Sequence, residues 1–295
     1  MLVLHAWLHA LGPAGAAALR GRGVRASGHL ARGVDLMAVV DLRDEAAALA
    51  IVLHDAPPLS AEDLTAAHAT WRGRMVNEYV SSRVFGSLVG QLIAAEVRPA
   101  RVAEAAGMVG DELRHARACA GVLHALGGEA IAALPDLPTV PEHEDAGPLE
   151  TVLRNVLSIC CLSETVAVAL ISAEYFELEG TAIGAILRDI LADEVRHSRF
   201  GWQLVSELMP RVDAAMKRRL RRYLKVALRH LRDHELSHIS PEAAPSVEAG
   251  LVGVCDGGTA RALFFETVLE VILPALEARG LPAGEQWRQV VAQAA

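Results

Sequence analysis

Aromatic residues make up only 4% of this 295-residue chain, a low share for a fold built on sheets, which lean on aromatic and β-branched side chains. There is no C-x-x-C pair: the four cysteines, Cys119, Cys160, Cys161 and Cys255, have neither zinc-ribbon nor disulfide-framework spacing. A reducing cytoplasm is the expected compartment. Positive charge is not in excess either. The net charge of −8 argues against a general nucleic-acid binder. Residues 1–19 are apolar, but no Lys or Arg precedes them and Arg20, Arg22 and Arg25 follow, the wrong polarity for a secretory signal. His5, His9, Gly12 and Pro13 weaken a membrane-span reading of the same residues. No other stretch is expected to have the length and apolarity of a span.

What is present is Ala, Leu and Val at helix-bundle proportions, with an apolar fraction of 52%. Residues 1–56 read as an N-terminal accessory segment, either loosely packed or docked on the bundle, with a short helical pattern around 41–54 that Pro57-Pro58 punctuates. Ser60 and Asp63 resemble a capping box. A long helix is expected from there to about Val97, a second from Pro99 to Gly127-Gly128, a third over Leu149–Glu179 and a fourth over Thr181–Met209. Residues 128–148 hold four prolines and little periodicity, so they form a long connection. Residues 57–210 then make a four-helix bundle whose long crossover joins helices two and three. Residues 211–295 supply C-terminal helices packed on it, near 211–236 and 259–279, with Pro274 kinking or ending the last.

The strongest signal is a near-repeat: D-E-L-R-H at 111–115 and D-E-V-R-H at 193–197. Each copy sets a Glu and a His three residues apart, Glu112 with His115 and Glu194 with His197, so both point from one helix face. Glu78 lies 34 residues before Glu112 and Glu164 lies 30 before Glu194. One such string of charges is ordinary surface. Two copies, each with a lone Glu upstream in an apolar run, are not, because an unpartnered buried carboxylate is costly. Four carboxylates and two imidazoles suit iron or manganese, and a mixed Mn/Fe pair as well, whereas a thiolate set would have suited zinc or iron–sulfur. The expected roles are Glu78 and His115 on one metal, Glu164 and His197 on the other, with Glu112 and Glu194 bridging. Asp111 and Asp193 are the expected acceptors for the second imidazole N–H of the opposite helix, held by Arg114 and Arg196 at i,i+3.

The pattern Glu78, Glu112-x-x-His115, Glu164, Glu194-x-x-His197 resembles the ferritin-like di-iron carboxylate superfamily, over roughly residues 60–210. The D-E-x-R-H form is similar to hydroxylase subunits of bacterial multicomponent monooxygenases and to acyl-carrier-protein desaturases. Departures prune the resemblance. Rubrerythrins place a further Glu where Ala167 stands, N-oxygenases of the aminobenzoate type place a His where Ile190 stands, and ferritins lack the second Glu-x-x-His. The resemblance implies an all-α enzyme with two iron ions that activates dioxygen to oxidise an organic substrate, small and hydrophobic or carrier-bound. Its electrons would come from an external reductase or ferredoxin, since no flavin, nicotinamide or iron–sulfur motif is visible. The alternatives are an iron-binding or ferroxidase protein without organic substrate, and a helical interaction module with a vestigial site.

Two further features stand out. Ser81, Ser82, Phe85, Met108, Cys119, Cys160, Cys161, Ala167, Val168 and Ile171 share helix faces with the ligands and are candidates for a cavity or, more simply, core. Residues 211–232 hold nine Lys or Arg and one acid, Asp213. There Arg218, Arg222, Lys225, Arg229 and Arg232 form a basic stripe opposite an apolar one of Leu220, Leu224, Ala227, Leu228 and Leu231. The helix around 217–232 is a solvated face or a docking surface for an acidic electron donor or carrier. A homodimer is compatible with the same reading.

Overall fold

The computed structural model describes residues 38–135 and 140–293. Residues 1–19, and with them the signal-or-anchor reading, lie outside the described residues. The bundle is made of helices α2 (Ala61–Ala94), α3 (Pro99–Ala125), a third helical rod comprising α4 (Pro148–Val156), a π-helical turn (Leu157–Ser163) and α5 (Glu164–Glu177), and α6 (Ala182–Leu208). After it come α7 (Ala214–His238), α8 (Val247–Gly250), α9 (Gly257–Thr267), α10 (Leu273–Ala278) and α11 (Gly284–Ala292). Ahead of it are strand β1 (Val39–Asp41) and helix α1 (Arg43–Leu49).

Local chemistry sets the helix ends. The Ser60 hydroxyl accepts from the Asp63 N–H at 3.1 Å and donates to its carboxylate at 2.6 Å, so the shorter Asp closes on the hydroxyl rather than on the backbone. Pro99 opens α3 in its first turn. Gly127, at φ +80°, closes it: its N–H reaches His124 O, and Gly128 N–H reaches Leu123 O at 2.9 Å, a Schellman ending. Thr181 caps α6 by accepting from Gly184 N–H.

The fold differs from, or adds to, the sequence reading at several points. The crossover between α3 and α4 is not wholly irregular: strand β2 (Ile131–Ala133) pairs antiparallel with β1, Val39 opposite Ala133. Val40, Leu42 and Ala46 are buried in a cluster with Cys119 and Leu123, so residues 38–56 pack on the bundle. The third rod is not one continuous α-helix. It widens into a π turn just before Glu164, and every residue from 150 to 167 is buried. That burial also explains why Pro148–Glu177 alone among the described residues has the length and hydropathy of a membrane span, contrary to expectation: 72% of its apolar window faces protein, as in a central core helix. Finally, the 259–279 helix is interrupted by a π turn at Val268–Ile272, and a further helix, α11, follows it. Pro274, which has no N–H and crowds the preceding turn, lies immediately after the interruption.

Two apolar clusters fill the interior. On α2, Trp71 and Met75 belong to one and Val84, Phe85 and Leu88 to the other; on α6, Leu187 and Ile190 belong to one and Phe200 and Leu204 to the other. The polar residues of the repeat fall between them, in the middle of the bundle.

Candidate metal centre

Glu78 projects from α2, Glu112 and His115 from α3, Glu164 from the first position of α5, and Glu194 and His197 from α6. None of the six is more than 3% exposed. Their donor atoms fall into two overlapping sets: Glu78, Glu112, His115 and Glu194, and Glu112, Glu164, Glu194 and His197, the atoms of each lying within 4.8 Å of one another. Glu112 and Glu194 belong to both sets. His115 Nδ1 is 3.3 Å from Glu194 and 3.6 Å from Glu78; His197 Nδ1 is 3.2 Å from Glu112 and 3.4 Å from Glu194.

The imidazoles are oriented from behind. His115 Nε2–H donates to Asp193 at 3.0 Å, and His197 Nε2–H to Asp111 at 3.2 Å, so each acid serves the histidine of the opposite helix. A carboxylate only accepts, so Nε2 carries a proton there and Nδ1 is the nitrogen that faces the cluster, free to bind a metal once deprotonated. Arg114 bonds Asp111 at 2.6 Å and Asp193 at 3.0 Å; Arg196 bonds Asp193 and reaches Asp111 at 3.4 Å. Both guanidinium groups are largely exposed, so this lattice of two acids and two arginines sits where the cluster approaches solvent.

Without a cation the centre is electrostatically frustrated. Burial, together with the Glu194 and Glu78 carboxylates, pushes Glu112 well above the ordinary range, and burial with Glu194 does the same to Glu164. Glu194 is held low despite its burial, by the neighbouring Glu164, His115 and His197 side chains. Burial disfavours the His115 cation, yet Glu194 and Glu78 push that imidazole up to about 12. Eight buried polar atoms of the six residues lack a hydrogen-bond partner: Glu78 Oε2, both oxygens of Glu112 and of Glu194, Glu164 Oε2, and the two histidine Nδ1 atoms. Atoms of this kind are rarely left orphaned. They converge, they are hard oxygen and imidazole donors, and two divalent cations would balance the four carboxylates. The donor set fits a two-metal site.

The π turn and its surroundings form a wall that the sequence did not reveal. Cys160 and Cys161 lie in it and are core residues, as are Met108 and Phe85. The Phe85 ring instead packs 5.2 Å from that of His197. Of the candidate cavity residues, Cys119 and Ile171 do border a cavity, of about 540 Å³, which reaches Glu78 from outside between α2, α5 and the α7–α9 end of the molecule. Arg74, Asn77, Glu174 and Glu235 also border it. Sequence reasoning passed over them; the one available signal was that Arg74 and Asn77 sit one turn and one residue before Glu78.

No protein-family model matches the chain, and no curated protein does. Among solved structures it is similar to a protein described as protein 19 with aldehyde deformylating oxidase activity from Synechococcus, at 21% identity and TM-score 0.54, over 79% of this chain and 98% of that one. A likeness of that degree speaks for the fold. The chain has an all-α ferritin-like fold, and at its centre lies a buried Glu/His cluster that could hold metal ions.

Proposed function

We propose that this protein is an oxidoreductase that holds two iron ions and uses dioxygen to oxidise an organic substrate. The observation that carries the reading is the pair of overlapping donor sets sharing Glu112 and Glu194. Glu78 and His115 would complete one ion's ligands, Glu164 and His197 the other's. The same donors accept manganese or a mixed Mn/Fe pair. When bound, the ions supply the redox chemistry with dioxygen. The chain contributes the rest: it fixes both Nδ1 atoms through Asp193 and Asp111, neutralises the cation charge with four carboxylates, and keeps bulk water away from all six ligands. The cavity that reaches Glu78 favours an organic substrate over an iron-oxidising role, which needs no chamber of that size.

Electrons would come from a separate donor. On α7 the buried Leu220, Leu224, Ala227, Leu228 and Leu231 face the core. The basic stripe is partly taken: Lys225 bonds Gln289 of α11, Arg229 bonds Gln293 just after it, and Arg232 is buried against Val290. Arg218 and Arg222 remain exposed, and that end of α7 is where an acidic donor would dock. The free cysteines fit a reducing cytoplasm.

The test is metal content with a visible spectrum after anaerobic Fe(II) loading and exposure to air. About two irons per chain, with the near-ultraviolet absorption of a coupled diferric pair, is the expected result. Less than about half an iron and no such band would overturn the reading.

A further inference from the structure

The cavity is not a plain apolar slot. Leu170, Ile171, Leu187 and Ile190 line it, but so does a polar station one helical turn from Glu78. Arg74 bonds Glu174 Oε2 at 2.6 Å and lies 4.9 Å from the centre of the Trp71 ring, whose own N–H is fixed on Val252 O. That leaves Glu174 Oε1, on a residue only 6% exposed, without a hydrogen-bond partner. Asn77, also 6% exposed and in the cavity wall, has its Nδ2 unpartnered. Oxygen and nitrogen of an amide exchange places by a simple flip, so Asn77 can offer either atom to a ligand.

Charge decides what the ligand is. Arg74 is the only Lys or Arg among the described residues that line the cavity, and Glu174 already neutralises it. Beyond that neutral pair, Glu177, Asp256 and His238 stand at the exposed rim, with Glu235 buried. A carboxylate or phosphate in this chamber would meet more like charge than opposite charge; an ammonium would meet acceptors. Burial pushes Glu235 up to about 7, the behaviour of an acid that ionises readily once a cation arrives beside it.

We propose that the cavity beside Glu78 binds an apolar substrate carrying a protonated amine, with Glu174 Oε1 as the anchor for its nitrogen. The proposal rests on the reading of Glu78 as the edge of the reactive centre. Arg74 and Glu78 are one turn apart, about 6 Å along the axis, so the carbons next to the nitrogen are the ones held nearest that centre.

Calorimetric titration of the full-length, metal-loaded protein at about pH 7, where alkylamines are protonated, with octylamine, octanol and octanoate is the test. Octylamine should bind at least about tenfold more tightly than octanoate, and Glu174→Gln should weaken it by about tenfold, to the level of octanol. Gly73 also lines the cavity, and a Cβ added there meets nothing within 4 Å. Gly73→Leu should therefore project into the chamber and weaken amine binding with no loss of melting temperature, and it keeps the test decisive if Glu174→Gln fails to fold around Arg74. Octanoate binding as tightly as octylamine, or amine affinity unchanged in both variants, would overturn the proposal. Metal content measured on the same samples judges the dimetal reading separately, because amine binding is read without turnover.

Discussion

The two halves of the centre begin from almost the same five residues and end with different surroundings. In the first half, α2 runs unbroken through Glu78 over its full 34 residues, and Arg74 and Cys119 border an open cavity. In the second, the rod widens into a π turn before Glu164, and the positions that correspond by offset, Cys160 and Gly201, are pressed together. A Cβ built on Gly201 would lie 2.4 Å from Cys160 Cβ and 2.9 Å from its carbonyl carbon. A glycine lets the α6 backbone close on the π turn; a cysteine seven residues after Glu112 leaves the other side apart. The lesson is that the repeated motif specifies ligands symmetrically, while small residues and helix register decide which side of the centre a substrate can approach. π turns recur at functional sites in helices, and here the turn adjoins the first residue of the ligand-bearing segment.

Substitutions can break the ligand symmetry first. Glu112→Ala or Glu194→Ala removes a residue common to both donor sets and should lose both metals, whereas Glu78→Ala or Glu164→Ala should lose about one of two, read by elemental analysis. Equal losses in all four would dissolve the distinction between shared and unshared ligands. Asp193→Asn and Asp111→Asn keep every ligand but weaken the orientation of His115 and His197, so metal affinity should fall about 10- to 100-fold while the fold persists. Wild-type affinity in both variants would show that the Arg–Asp lattice plays no part in ligand positioning.

A third comparison is between pH values. Metal must displace protons from Glu112 and Glu164, raised chiefly by burial, and from His115, held up by its carboxylate neighbours against burial. Lowering the pH therefore weakens binding, by about tenfold per pH unit for each proton released, and calorimetry in buffers of different ionisation enthalpy counts those protons. In the metal-free protein the His115 pKa is raised from 6.5 to about 12, so its stabilising contribution is full below 6.5 and is lost as pH rises toward 12. The smallest effect tests the closed side. Gly201→Ala forces the α6 backbone off the π turn and should destabilise the fold by about 1–3 kcal/mol in denaturant unfolding, while Gly73→Ala on the open side should not destabilise it.

Much of the site was legible because its signals are local. Glu112 and His115, or Glu194 and His197, share a face by helical geometry alone, and their acidic neighbours reach the opposite helix because one residue of offset turns a side chain about 100° round the axis. The helix ends at Ser60, Pro99 and Gly127 were readable for the same reason. The two three-residue strands were not, because so short a pairing has no periodicity to detect, and neither was α11, whose nine residues lie at the end of a weakly patterned stretch. Nor could hydropathy separate a central core rod from a membrane span at 148–177, since both are apolar on every side.

The sequence by itself determined the helical class, the four carboxylates and two imidazoles, and the pairing of each Glu with its His, because those follow from composition and the 3.6-residue period. Only the tertiary structure decided that Arg74 would neutralise Glu174 and leave one oxygen unpartnered, and that the chamber lies beside Glu78 rather than Glu164. Those outcomes depend on distances between helices far apart in the chain. Such distances are set by the side chains that happen to meet there, a glycine against a cysteine on one side and an arginine against a glutamate on the other.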